Sequence, residues 1–210
     1  FPLARTQWTK FHLDAGERSI RRGNSPVQAS LSYAALGEGI NFSTEPFEQD
    51  CEFTGFVTLR LWVSSSATDL DIFATLRAMA PQGKEVIFTG AHEPVPVARG
   101  WLRASHRKLD RAMSTPYHVY HAHDEVRKLI PGEVYPLDVE IWPTSMVYPR
   151  AYRMVLTLLG RDLEVAGIPG RILHNHPVNR DPAEFGGTVT LLTGGARESY
   201  LLLPVIPQQA

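Results

Sequence analysis

Cysteine is almost absent. Cys51 is the only one in 210 residues, so no internal disulfide is available, and the usage favours a reducing, cytoplasmic compartment. No sign of charge dominates either. The net charge of -1 leaves no electrostatic footprint for nucleic acid or another polyanion. No apolar run reaches the ~18 residues of a bilayer-spanning helix, so no membrane partner is expected. The opening FPLARTQWTK lacks the apolar core of a secretory signal. It also lacks a starting Met, and the chain is expected to be a fragment of a longer protein. No serine stands in G-x-S-x-G, the strained nucleophile elbow of α/β-hydrolases. TGGARES lacks the Lys-Ser/Thr ending of a phosphate-binding loop. There is no repeat, no heptad and no low-complexity tract, and no helical period persists beyond about two turns. No cofactor is expected.

What is present is ordinary in amount and specific in pattern. Hydrophobic residues make up 43% and charged residues 20%, enough for one sizeable core. Gly and Pro, 16 of each, fall between short apolar runs and punctuate the chain as they do in all-β folds. From Phe53, one face carries Phe53, Val57, Leu59, Leu61 and Val63, while the other carries Phe56, Thr58, Arg60 and Trp62. DIFATLRAM sets Ile72, Ala74 and Leu76 against Phe73, Thr75 and Arg77. After a Pro131-Gly132 turn, Tyr135, Leu137, Val139 and Ile141 alternate with Asp138, Glu140 and Trp142. Pro136 cannot donate to a ladder and marks an edge or a bulge. YRMVLTLLG is apolar on both faces, as a central strand is. GGTVTLLTGG and SYLLLPVIP supply two late strands around a Gly194-Gly195 turn. This pattern predicts a β-sandwich. Segments 80–100 and 110–131 are expected to be long irregular loops.

Several constellations could carry chemistry. HVYHAHDE packs His118, His121, His123, Asp124 and Glu125 together. On a strand, His121 and His123 would share a face as H-x-H metal ligands do, with HNH at 174–176 as a third source. The downstream positions that should hold a carboxylate ligand are Arg127 and Lys128, which favours a polar loop instead. Asp69 and Asp71 of TDLD fit turn capping through the local backbone better than an under-supplied Ca²⁺ site. The Ser64–Ser66 run reads as a polar corner, because no adjacent base is in view. Cys51 follows Glu48, Gln49 and Asp50, a setting that raises a thiol pKa and argues against catalysis. The basic stretch RGWLRASHRKLDR reads as a solvated or salt-bridged face, with Trp101 within it.

FTGFVTLRLWVSSSATDLDIFATLRAMAPQG, GWLRASHRKLD, LIPGEVYPLDVEIWPTSMVY and SYLLLPVIP, in that order and spacing, resemble the C-terminal domain of X-Pro dipeptidyl-peptidase-type serine hydrolases. That family includes cocaine esterase and the α-amino-acid ester hydrolases. The resemblance covers residues 5–207. It implies a jelly-roll β-sandwich, galactose-binding-like, at residues 23–210, with 1–22 as a lead-in from a preceding catalytic domain. It also implies an upstream α/β-hydrolase domain of the same polypeptide that holds the Ser-Asp-His triad, so no catalytic residue is expected here. The parent's substrate would be a small ester or amide, and a homo-oligomer is compatible with the sequence. The family often has Gly-His-Arg where this chain has Ala151-Tyr152-Arg153. By family position, Trp62, with Leu61 at its edge, is expected to face the parent's substrate pocket, and Arg60 the domain interface. The competing reading of Trp62 is packing under a loop of this domain such as 80–100. Two other functions are open to the same chain. One is a free-standing carbohydrate-binding module using Trp62, Trp101 or Trp142. The other is a metal-dependent jelly-roll enzyme using His121 and His123.

Overall fold

The computed structural model describes residues 2–90, 93–163 and 180–208. The strands are β1 (Gln7–Asp14), β2 (Ser19–Arg22), β3 (Ala29–Ala34), β4 (Ile40–Thr44), β5 (Cys51–Ser65), β6 (Asp71–Met79) and β7 (Glu85–Val86). They continue as β8 (Phe88–Gly90), β9 (Glu93–Val95), β10 (Ala98–Arg103), β11 (Tyr135–Tyr148), β12 (Arg153–Leu159), β13 (Thr188–Thr193) and β14 (Tyr200–Ile206). Helical structure among the described residues is one 3-10 turn, Ala104–His106, and the short α1, Pro182–Phe185. The fold is all-β. The main sheet runs β11-β10-β6-β12-β4-β2-β1-β14-β5-β13-β3, and β5 also pairs with β11. That last pairing closes the path on itself, giving a barrel- or sandwich-like body around one hydrophobic core.

β5 organises the fold because its alternation is almost unbroken. Phe53, Val57, Leu59, Leu61 and Val63 are all buried, and residues between them are more exposed. One edge of β5 pairs with β11 from Cys51 to Val63. The other edge changes partner, from β14 over 52–60 to β13 over 62–65. Buried Ser199 fills the gap at the exchange. Its hydroxyl accepts the Trp62 N–H at 3.0 Å and donates to the Leu192 carbonyl at 2.8 Å. Its carbonyl accepts the Leu13 N–H at 2.8 Å. β12 lies between β4 and β6, the central position its two apolar faces predict.

Residues 7–22, read from sequence as a lead-in, form β1 and β2 between β14 and β4. The segment 80–100 is not an irregular loop. It carries β7 against β6, the β8–β9 pair and the start of β10. Strands of two or three residues are too short to show alternation, which is why the sequence did not reveal them. Pro136 sits opposite Trp62 in β11, and the bulge lies elsewhere, between Ile141 and Thr144. β10 reaches β11 only at Gly100–Ile141, so the N–H that Pro136 lacks has no ladder partner to lose on that side.

The TDLD corner is built by its aspartates. Fully buried Asp69 accepts the N–H of Leu70 at 2.9 Å and of Ser105 at 3.0 Å, and the Lys128 ammonium at 3.1 Å. Asp71 binds the Arg103 guanidinium through both oxygens at 2.9 and 3.0 Å. The serine run does similar work: Ser65 Oγ accepts the Ala67 N–H and Ser66 Oγ the Thr188 N–H.

Ala151 has φ of 69°. The Tyr152 N–H donates to the Pro149 carbonyl at 3.0 Å, so Ala151 is the third residue of a turn that favours glycine. An L-residue in this region costs ~1–2 kcal/mol, and glycine returns ~0.5–1 kcal/mol as unfolded-state entropy. Ala151→Gly is therefore expected to raise stability by about 0.5–1 kcal/mol, measured as a higher urea midpoint at unchanged slope.

Candidate functional site

Alternation sends Arg60 and Trp62 to the outer face of β5. Directly opposite residues of neighbouring strands share a face, which extends this surface across four strands. β11 contributes Pro136 opposite Trp62, Asp138 opposite Arg60 and Glu140 opposite Thr58. β14 contributes Tyr200 and Leu202, and β1 adds Lys10 and His12 beside them. Arg60 Nε lies 2.5 Å from Asp138 Oδ1. Burial raises the Asp138 carboxyl above its usual range, and the Arg60 charge opposes that rise. The Lys10 ammonium sits 4.4 Å from the Tyr200 ring centroid and 2.7 Å from Glu198. Burial lowers the His12 imidazole, with Glu198 opposing.

The segment 104–131 folds over the other part of this face. Tyr117 stacks on Trp8 with centroids 4.4 Å apart and planes at 7°. His118 stacks on Phe56 at 3.8 Å and holds Glu140 at 3.0 Å. The Thr58 hydroxyl donates to the Tyr117 carbonyl at 3.1 Å. Asp110 and Ala122 close the segment on itself through the Tyr120 and Lys108 carbonyls. Lys108 pairs with Asp124 and Glu125, and Arg127 with Glu125. Lys108 of the basic stretch is thus paired within the domain.

Trp62 is half-buried. The segment 80–100 pairs along β6. Leu61 faces the core and has no exposed surface. It can act on a pocket only by fixing the strand that carries Trp62.

His121 and His123 are not on a strand, and their ring centroids are 6.1 Å apart. Among the described residues, no group of three or more His, Cys, Asp or Glu is arranged to hold a metal ion. The HNH run at 174–176 lies outside the described residues. Cys51 is half-buried, and burial raises its thiol, with Asp50 adding and Arg22 opposing. That disfavours the thiolate a nucleophile needs. Sequence reasoning did not find the Trp8–Tyr117 and Phe56–His118 stacks. Alternation in β1 exposes Trp8, but the partner is more than a hundred residues away and no local signal links them.

The described residues form an all-β body with a polar-aromatic outer face. The chain belongs to the family of X-Pro dipeptidyl-peptidase C-terminal non-catalytic domains, which it matches over residues 1–202. It is similar to the protein named "Putative serine esterase Mb1866c" of Mycobacterium bovis, with 27% identity over 165 residues, 74% of this chain and 25% of that protein. A CocE/NonD family hydrolase from Staphylococcus aureus superposes with a TM-score of 0.87 at 27% identity, over 98% of this chain and 38% of the other. An α-amino acid ester hydrolase shares the fold at a TM-score of 0.62 and 12% identity, over 94% of this chain and 36% of the other. The chain spans about a quarter of the curated relative's length.

Proposed function

We propose that this chain is the C-terminal accessory domain of a serine hydrolase whose α/β-hydrolase domain precedes it in the same polypeptide and cleaves a small ester or amide through an acyl-enzyme. In this reading the body is a galactose-binding-like jelly roll, and the chain enters from the catalytic domain through residues 1–22. The outer face of β5 packs against that domain, with Trp62 walling the substrate pocket and Arg60, held by Asp138, at the interface. The observation that carries the reading is a half-buried Trp62 on a strand whose opposite face is locked into the core by Leu59, Leu61 and Val63. A large aromatic held this rigidly offers contact area at small entropic cost.

The test is Trp62→Ala in the full-length protein, assayed on esters of increasing acyl size. kcat/KM for bulky acyl groups is expected to fall about tenfold, ~1.4 kcal/mol of transition-state stabilisation, with acetyl esters little changed. An unaltered acyl-size profile would remove Trp62 from the pocket.

A further inference from the structure

A separate cavity lies where β10 crosses β11. Its volume is about 200 Å³, and it is lined by Gly100, Trp101, Leu102, Arg103, His106, His121, His123, Glu140 and Trp142. At ~30 Å³ per liquid water, this is room for about seven waters. It is smaller than the ~300–1,000 Å³ typical of sites for drug-sized ligands, so the occupant is a small molecule or one unit of a chain. The β11 bulge builds one wall. The extra residue falls between Ile141 and Thr144, and such a bulge re-aims side chains. Trp142 is left 59% exposed and meets Trp101 with centroids 5.2 Å apart and planes at 59°. Two tilted indoles make an apolar corner.

The other walls are polar, and their charges are already spent. Arg103 is bound by Asp71, and Glu140 by His118. A cation would face the Arg103 guanidinium and an anion the Glu140 carboxylate, so neither is favoured. The groups left over are ring nitrogens. Among the described residues, His106 Nδ1 and His121 Nε2 are buried without a hydrogen-bond partner. Burial lowers the His121 imidazole, with the neighbouring Asp138 backbone opposing. A purely apolar ligand would leave both nitrogens unsatisfied, at a cost that buried polar groups rarely carry. A ligand that meets all these walls is uncharged, has one apolar face and carries hydroxyl groups at its rim.

We propose that the cavity between Trp101, Trp142, His106 and His121 binds a single neutral sugar ring, its C–H face on the indoles and its hydroxyls on the two imidazoles. The site shares Glu140 with the outer face described above but does not depend on the pocket role of Trp62. The test titrates the full-length protein with the methyl pyranosides of glucose, galactose and mannose, followed by tryptophan fluorescence and saturation-transfer NMR. At least one pyranoside is expected to saturate with a dissociation constant on the order of 1 mM. Trp142→Ala, at an exposed position where folding is not at stake, should weaken it at least tenfold. His121→Phe, which keeps an aromatic ring but removes both nitrogens, should weaken it severalfold, and Trp62→Ala should leave it unchanged. Absence of saturable binding by all three pyranosides overturns the proposal, as does binding that is indifferent to Trp142→Ala and His121→Phe.

Discussion

Asp69→Ala is expected to destabilise the fold by about 3 kcal/mol or more. The carboxylate has no exposed surface, and one of its oxygens accepts both the Leu70 and the Ser105 N–H. Leaving a buried donor unsatisfied costs ~1–3 kcal/mol, and alanine leaves two. Lys128 matters less, because it is half-exposed and keeps Glu184 as a partner. The corner joins the end of β5, the 3-10 turn and the 104–131 segment, whose Leu129 N–H bonds the Thr68 carbonyl at 2.8 Å. At ~2–4 °C per kcal/mol for a domain of this size, the loss should appear as a fall in Tm of about 6–12 °C by calorimetry. Asp69→Asn keeps an oxygen for the two N–H groups and should lose less than half as much. Equal losses for the two variants would mean that the charge on Asp69, and not its backbone capping, holds the corner.

Gly100→Ala is expected to be at least as damaging, for a different reason. A Cβ at Gly100 would lie 2.0 Å from the Glu140 carbonyl oxygen and 2.7 Å from the Ile141 Cα. Both are backbone, so no side chain can swing away, and β10 would have to leave β11 at the only point where the two strands pair. Overpacking costs ~1–3 kcal/mol when neighbours can shift, and here about 3 kcal/mol or more is expected. Gly83→Ala is the control. It has a φ of 78° but nothing within 4 Å of the added Cβ, so only ~1–2 kcal/mol of backbone strain is at stake. Urea unfolding of both variants makes the comparison, and intrinsic fluorescence should report the Trp101–Trp142 contact loosening in Gly100→Ala alone.

The parts of this fold that were legible in the sequence are those governed by local chemistry. β5 could be read because one face is core and the other is not. The turn at Pro131-Gly132 could be read because the type requires that pair: Gly132 has a φ of 83°, and the Glu133 N–H reaches the Ile130 carbonyl at 3.0 Å. Asp69 was read as a turn aspartate, and it is one, although it also caps a turn 36 residues away. Pairings between distant segments were not legible. Nothing near Trp8 announces Tyr117, and nothing near Trp62 announces Ser199. Of the two readings of Pro136, edge or bulge, the edge holds, because β10 reaches β11 only at Gly100–Ile141, and the register changes instead at Trp142 and Pro143. The histidine run suggested ligands by spacing. The chain instead spends His118 on Glu140 and Phe56, and buries His121 against the Asp138 backbone.

The central claim is that catalysis belongs to a domain outside these 210 residues. Labelling with a fluorophosphonate probe, applied in parallel to this chain and to the full-length protein, tests it most directly. The account predicts that the full-length protein becomes covalently labelled and this chain does not. Stoichiometric labelling of a serine within residues 1–210 would contradict it, because it would place a nucleophile and its base inside the β-sheet domain itself.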